Sequence, residues 1–198
     1  FSKGPTAPKG FMFYPLEFPE TVDYKKAVKV DGLMTNEKGI FLFLLVADCL
    51  PIILYDPKKE AIALVHAGWK GVDLEIAAKS VRTMKKMYGC SPKDIIVGVG
   101  PYAHKNSFIK ENPSQKTDPR WKGFIDRVHP CQDGKEFFFK VDLLGFTKKQ
   151  LFDSGVLKKN IFVSNIDTVK EERFFSHVRE GKLPLTKQGR FACVVGMV

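Results

Sequence analysis

Three apolar, β-prone segments follow one another between residues 40 and 67, and they restrict the possible folds more than any other feature of the chain. The segments are IFLFLLVAD (40–48), LPIILYD (50–56) and EAIALVHA (60–67), separated by Pro51 and by the turn sequence DPKKE. Short apolar runs bounded by such turn residues are typical of consecutive strands. We therefore predict three strands in succession, of which the second and third form a β-hairpin.

The rest of the chain alternates between helical and strand patterns. Residues 72–89 follow a helical period, with Asp73 placed to cap the start of the helix and Gly89 to end it. Further elements are predicted as strands at 94–101, 135–142, 160–164 and 190–198, and as a helix at 143–155. Grouped strands with interposed helices favour an α+β fold of layered mixed β-sheets flanked by helices, in a single domain over residues 1–198.

Two segments show neither the helical period nor the alternation of a strand. Residues 1–30 are rich in proline, so we predict an extended N-terminal arm. Residues 102–135 are polar and irregular, and they favour a lid or binding loop and a tolerated surface insertion equally.

Composition argues against several classes of protein. The apolar fraction of 44% is too high for a disordered chain, and the longest apolar run, at 40–47, is shorter than the roughly 20 residues that a membrane helix needs. The start of the chain does not resemble a secretion signal, and four scattered cysteines fit a reducing compartment. We therefore expect a cytoplasmic protein without a membrane partner. The net charge of +10 comes from scattered lysines, which favours a solvated basic surface over nucleic-acid binding.

Cys49 and His66 stand at the two ends of the predicted hairpin. If residues 56–59 form the turn, Tyr55 pairs with Glu60, and Cys49 falls opposite His66. Opposed residues have Cβ atoms about 5 Å apart on one face of a sheet. A thiol and an imidazole this close could bind one metal ion, or the imidazole could take the proton of the thiol. Both residues also fit a structural role, as a buried thiol and a hydrogen-bonded ring.

The neighbours of this pair suggest further functional groups. Gly68 and Gly71 permit close backbone approach before a helix, and the first amides of a helix can hold phosphate or another anion. Asp48 supplies a carboxylate at the same edge, suitable as a general base or as a group that orients the histidine.

Six motifs occur in an order that resembles a known family. They are VDGLMT, ADCLPIILYD, VHAGWKGV, GVGP, FFSHVREG and QGR. Together they resemble the YfiH-type laccase-domain family, whose members carry the name multicopper polyphenol oxidase and are better understood as purine nucleoside enzymes. The resemblance covers roughly residues 30 to 198, and its most specific parts are ADC-x-P and HAGW-[RK]-G.

The resemblance implies a zinc site in which Cys49 and His66 are two of three protein ligands. It also implies phosphorolysis of purine nucleosides together with adenosine deamination, with a purine nucleoside and phosphate as the partners. Asp48, Cys49 and His66 are then the candidate catalytic residues, and the candidate substrate-binding residues are Gly68, Trp69, Gly71, Arg179 and Arg190. The two arginines are hypothetical phosphate clamps, and each fits a surface salt bridge equally well.

Several positions of the family pattern differ in this chain. The family's third ligand is a histidine upstream of DG-x-x-T, but no histidine precedes His66. His104, His129 and His177 are candidate replacements, and His177 lies inside FFSHVREG. The family's S-Y-R-R is SHVR at 176–179, so one of its two arginines is absent. The identity of a third ligand therefore stays open.

The number of histidines separates the possible chemistries. A blue-copper centre takes two histidines and a cysteine, and a laccase needs a further histidine-rich cluster, whereas this chain has four histidines in all. Zinc suits a thiolate and an imidazole. The alternative enzyme is a metal-free hydrolase, including an editor of peptidoglycan precursors, with Cys49 as nucleophile and His66 as base. The third hypothesis is a non-catalytic family member that acts as a binding protein.

Overall fold

The computed structural model describes residues 30–128, 137–184 and 187–198. The described strands are β1 (Gly32–Thr35), β2 (Phe41–Val46), β3 (Leu50–Asp56), β4 (Ala61–Ala67), β5 (Ile96–Val99), β6 (Ile109–Glu111), β7 (Ile125–Arg127), β8 (Phe138–Val141), β9 (Ile161–Val163) and β10 (Phe191–Gly196). The described α-helices are α1 (Trp69–Asp73), α2 (Ile76–Tyr88), α3 (Leu143–Asp153) and α4 (His177–Glu180). Short 3₁₀ turns are formed by Ser114–Thr117, Pro119–Trp121 and Lys158–Asn160.

The strands form three sheets. The largest has the order β1–β4–β3–β5–β9, with antiparallel neighbours except for the parallel pair β5 and β9. A two-stranded ribbon pairs β10 with β2, and a three-stranded sheet has the order β6–β8–β7. One mixed sheet and two antiparallel sheets, with flanking helices, confirm the predicted α+β class.

The five-stranded sheet is buried on both faces because its side chains alternate between two apolar clusters. Ile52 and Val65 point to the face that packs against the helices, in one cluster with Met84 of α2 and Leu151 of α3. The opposite face packs under the ribbon, and its cluster contains Leu33, Leu42, Leu64 and Met197. Fully burying one such side chain stabilises the fold by about 1.5–3 kcal/mol. The two layers therefore fix the sheet between helices and ribbon.

The register of the β3–β4 hairpin differs from the prediction. Tyr55 pairs with Ile62 rather than with Glu60, so the four-residue turn occupies 57–60. The physical reason is Asp56, which stays in the strand and accepts hydrogen bonds from the backbone N–H groups of Lys58 and Lys59 at 2.9 and 3.1 Å. This Asx-type turn moves the loop by one residue. His66 consequently lies opposite Pro51, and its predicted pairing with Cys49 is wrong.

The predicted helix at 72–89 is interrupted. Helix α1 starts earlier, at Trp69, and the helical path breaks at Glu75, whose φ is 59°, before α2 begins. Asp73 does not cap a helix. Its carboxylate accepts hydrogen bonds from the indole Nε1 of Trp121 at 2.8 Å and from Gln115 Nε2 at 3.0 Å. Gly89, with a φ of 67°, ends α2 as predicted.

The segment predicted to be irregular at 102–135 contains regular structure. Strands β6 and β7 pair with β8 on either side, and the 3₁₀ turns between them are tied to α1 through Asp73. The rest of this segment, from residue 129, and the predicted arm before Val30 lie outside the described residues. Among the helices that the structure describes, none is long and apolar enough to span a bilayer.

Candidate functional site

Asp31, His66 and Cys49 lie together at one end of the five-stranded sheet. The β1–β4 ladder pairs Gly32 with Val65, and it continues by one pair because the backbone N–H of His66 donates to the carbonyl oxygen of Asp31 at 2.7 Å. Cys49 directly precedes β3, the next strand on the other side of β4. Three adjacent strands thus bring a carboxylate, an imidazole and a thiol to the same end of the sheet.

The thiol of Cys49 and the ring of His66 approach each other over Gly68. A Cβ atom on Gly68 would lie 3.1 Å from Cys49 Sγ and 3.5 Å from His66 Nε2. The hydrogen bond to Cys49 is the largest cause that raises the pKa of His66 to about 9, against the opposing effect of burial and with a further contribution from Asp31. The predicted proximity of Cys49 and His66 is therefore present, although the predicted register is not.

Asp31 was not among the predicted site residues. Its Oδ1 lies 3.0 Å from His66 Nδ1, while the other ring nitrogen, Nε2, borders the space over Gly68 together with Cys49 Sγ. The motif VDGLMT carries Asp31, but its role follows only from the pairing of β1 with β4, and the sequence patterns did not predict β1.

Asp48 is not the carboxylate that orients His66, and its role as a general base stays a prediction. Its side chain is only 3% exposed, and its carboxylate accepts hydrogen bonds from Thr168 Oγ1 (2.6 Å), Ser176 Oγ (3.0 Å) and the backbone N–H of Val178 (2.6 Å). Asp31, and not Asp48, contacts the histidine. A buried carboxylate with three donors is a structural anchor, which joins the β2–β3 turn to the segment before and within α4.

Trp69 and Gly71 are in α1, beside the thiol and imidazole. The Trp69 ring packs against Trp121 and Phe108, with centroid distances of 5.0 and 6.2 Å. A Cβ atom on Gly71 would make only ordinary contacts, at 3.5 Å from the carbonyl oxygen of His66. Helix α1 has only five residues. The predicted long helix, whose first amides were expected to hold an anion, therefore does not begin next to Gly68 and Gly71.

The two predicted phosphate clamps differ in their surroundings. The guanidinium of Arg179 donates to the carbonyl oxygens of Thr168 at 3.0 Å and Val169 at 3.1 Å, and also to that of Phe174. These bonds show that Arg179 stabilises the loop of residues 168–174 that precedes α4. Arg190 is exposed and directly precedes Phe191, which pairs with Val46 at the end of β2 that leads to the site.

The two described candidates for a third metal ligand, His104 and His177, do not join the pair. Among the residues that the structure describes, no group of three His, Cys, Asp or Glu side chains could hold a metal ion. His104 has a buried Nε2 without a hydrogen-bond partner in the described part of the chain, and its ring centroid lies 4.7 Å from that of Tyr102. His177 is exposed on α4 with its Nδ1 at 2.9 Å from Gln188 Oε1, and His129 lies outside the described residues.

This donor set partly fits zinc. A thiolate and an imidazole are two of zinc's preferred ligands, and metal-bound histidines commonly donate their second ring N–H to a carboxylate, as Nδ1 of His66 is placed to do with Asp31. The same three groups also match a thiol nucleophile with an oriented base. The geometry supports either chemistry.

Comparison with known proteins identifies the family that the chain resembles. The family model described as multi-copper polyphenol oxidoreductase laccase matches residues 18–198. Purine nucleoside phosphorylase LACC1 of Homo sapiens is 34% identical over 166 residues, which cover 79% of this chain and 36% of that protein. Purine nucleoside phosphorylase YlmD of Bacillus subtilis is 31% identical over 177 residues, which cover 88% of this chain and 62% of that protein.

The fold is also similar to solved structures. The crystal structure of the Bacillus licheniformis protein YfiH matches with a TM-score of 0.73 at 29% identity, over 88% of this chain and 64% of that chain. This chain therefore spans about a third of the human relative and less than two thirds of the bacterial relatives.

Proposed function

The chain belongs to the multi-copper polyphenol oxidoreductase laccase family, the laccase-domain family that its motifs predict, and from this premise we propose a zinc-dependent enzyme that acts on purine nucleosides. Its reactions would be phosphorolysis and adenosine deamination. The observation that carries the proposal is the convergence of Cys49 and His66 over Gly68, in a chain whose relatives are named purine nucleoside phosphorylases. The proposal includes a reducing, cytoplasmic location, in which Cys49 would stay a thiol.

The metal is part of the proposal. The family description names copper, but a thiolate beside an imidazole suits zinc, with Cys49 Sγ and His66 Nε2 as ligands. Zinc bound with an open position would supply a Lewis acid and lower the pKa of bound water to about 7. A third protein ligand is still needed, either from outside the described residues or by movement of a side chain such as His104.

The chain's own residues would hold the substrates. In phosphorolysis a phosphate oxygen forms a bond to C1′ of the ribose while the bond from C1′ to the purine nitrogen breaks, and the base leaves with a proton. Arg190, exposed where β10 meets the end of β2, is the side chain that we assign to the phosphate. Gly68 keeps the space beside Cys49 and His66 open to the nucleoside.

Elemental analysis of the purified protein tests this function, followed by incubation with adenosine and phosphate and measurement of adenine and inosine. We expect about one zinc per chain in the wild type, with loss of both zinc and products in Cys49→Ala. Cys193→Ala is the matched control because Cys193 lies on β10 opposite Leu44, away from the site, and it should keep both. Absence of zinc in the wild type, or full zinc in Cys49→Ala, would contradict the proposal.

A metal-free thiol hydrolase is the second candidate, favoured by the contact of His66 with both Cys49 and Asp31. This enzyme would need no metal, and Cys49→Ala would abolish hydrolysis while leaving the metal content unchanged at zero. If the wild type contains no metal and forms no product, the third hypothesis, a non-catalytic binding protein, is the one that remains.

A further inference from the structure

Asp31 is the carboxylate that contacts the His66 ring. It lies directly opposite His66 at the end of the β1–β4 ladder, and its backbone carbonyl accepts the His66 amide at 2.7 Å. Directly opposed residues in an antiparallel pair have Cβ atoms about 4.5–5.5 Å apart. The short carboxylate of Asp31 therefore reaches the near nitrogen of the ring without reorganisation, at an Nδ1–Oδ1 distance of 3.0 Å.

The second ring nitrogen of His66, Nε2, is the one that faces Cys49 and Gly68. His66 Nε2 faces the space over Gly68 that Cys49 Sγ also borders. An imidazole ring without a partner at Nδ1 can rotate about its side-chain bonds and can exchange its two tautomers. A carboxylate that accepts from Nδ1 removes both freedoms, because it favours the proton on Nδ1 and leaves Nε2 to bind a metal or a thiol.

We propose that Asp31 is the positioning residue of this site, which holds His66 through Nδ1 so that Nε2 faces Cys49. This inference rests on the proposed function in one respect, the use of Nε2 as a zinc ligand. The positioning itself concerns only Asp31, His66 and Cys49, and it operates in the metal-free protein as well.

The test uses Asp31→Ala and Asp31→Asn with Asp153→Ala and Asp153→Asn as controls. Asp153 forms an ion pair with Lys149 on α3, and its side chain is 62% exposed, as is that of Asp31. Removal of a carboxylate behind a metal-bound histidine weakens metal binding by about 10–100-fold. We expect this loss of zinc affinity in Asp31→Ala, measured by chelator competition, and a smaller loss in Asp31→Asn, which keeps an acceptor oxygen. The Asp153 variants should match the wild type.

A second measurement separates the positioning from the proposed zinc chemistry. The rate of alkylation of Cys49 by iodoacetamide in the metal-free protein, followed by peptide mass spectrometry, reports whether the imidazole still faces the thiol. We expect a rate several-fold lower in Asp31→Ala than in Asp153→Ala, with the same thermal unfolding temperature in both. If the wild type binds no zinc, the proposed function fails and this rate still decides the role of Asp31. Equal alkylation rates in the two alanine variants would overturn the inference.

Discussion

At the scale of single residues, the site depends on a position that has no side chain. Gly68 directly precedes α1 and has a φ of −76°, which any residue can adopt, so backbone conformation does not require glycine there. The absence of a side chain matters for the space available, because a Cβ atom at this position would lie 3.1 Å from Cys49 Sγ and 3.4 Å from His66 Cε1. The distance to Sγ is tighter than an ordinary van der Waals contact, whereas the distance to Cε1 is at the lower limit of one.

We expect Gly68→Ala to push the thiol and the imidazole apart while changing the free energy of unfolding by less than about 1 kcal/mol. Zinc affinity and the alkylation rate of Cys49 in the metal-free protein should both fall several-fold. Gly71→Ala is the matched control, since its Cβ would meet nothing closer than 3.5 Å, and it should leave both quantities unchanged. Equal zinc affinities and equal alkylation rates in Gly68→Ala and Gly71→Ala would contradict this role of Gly68.

At the scale of elements, Asp48 joins parts of the chain that are distant in sequence. It sits in the turn that ends β2, with a φ of 75°, and its carboxylate binds Thr168, Ser176 and Val178. Its backbone carbonyl also accepts the N–H of Ala103 at 2.9 Å. The turn before Cys49 is thereby fixed to the loop that leads into α4.

Asp48→Asn isolates the carboxylate from the backbone because asparagine also tolerates a positive φ. The amide NH₂ would face groups that donate hydrogen bonds, so we expect the free energy of unfolding to fall by about 3 kcal/mol, measured by urea denaturation. Asp56→Asn is a control at another buried aspartate, because the amide oxygen of asparagine can still accept the two backbone N–H groups, of Lys58 and Lys59, that bond to Oδ1 of Asp56. Equal losses in both variants would contradict the anchoring role of Asp48.

At the scale of the whole molecule, a buried thiol on the helix side of the sheet couples stability to pH. Cys90 is in the larger apolar cluster, and burial, with a hydrogen bond to Asp56, raises the pKa of its thiol to about 12. In the unfolded chain the thiol titrates near its ordinary value of 9.0. Its contribution to stability is therefore full below pH 9 and is lost as the pH rises towards 12, since only the unfolded chain releases the proton there.

We expect the free energy of unfolding of the wild type to decline between pH 9 and 11 more steeply than that of Cys90→Ala, by about 1.4 kcal/mol per pH unit. Urea denaturation at several pH values measures both slopes. The alanine variant starts from a lower stability because of its cavity, but only the difference in slope tests the prediction. Parallel slopes would show that Cys90 titrates alike in both states.

Local patterns were sufficient for most of the elements. Strands β2 to β5, helix α3 and the end of α2 at Gly89 follow from apolar periodicity and turn residues. Strand β1 was missed because its four residues, all buried, carry no alternation. Strands β6 and β7 were missed for a related reason, since three-residue strands are too short to show a period.

The sequence by itself determined that a thiol and an imidazole lie near each other at one end of the β3–β4 hairpin. The hairpin turn lies one residue later than predicted, which shifts the partner of His66 by two positions and so preserves the face on which its side chain lies. Only the tertiary structure decided which carboxylate serves the histidine. Asp31 reaches His66 because β1 pairs with β4 across 35 residues, and Asp48 is occupied by partners 120 or more residues away. Periodicity and spacing report the local path of the chain, whereas these contacts depend on how distant segments pack together.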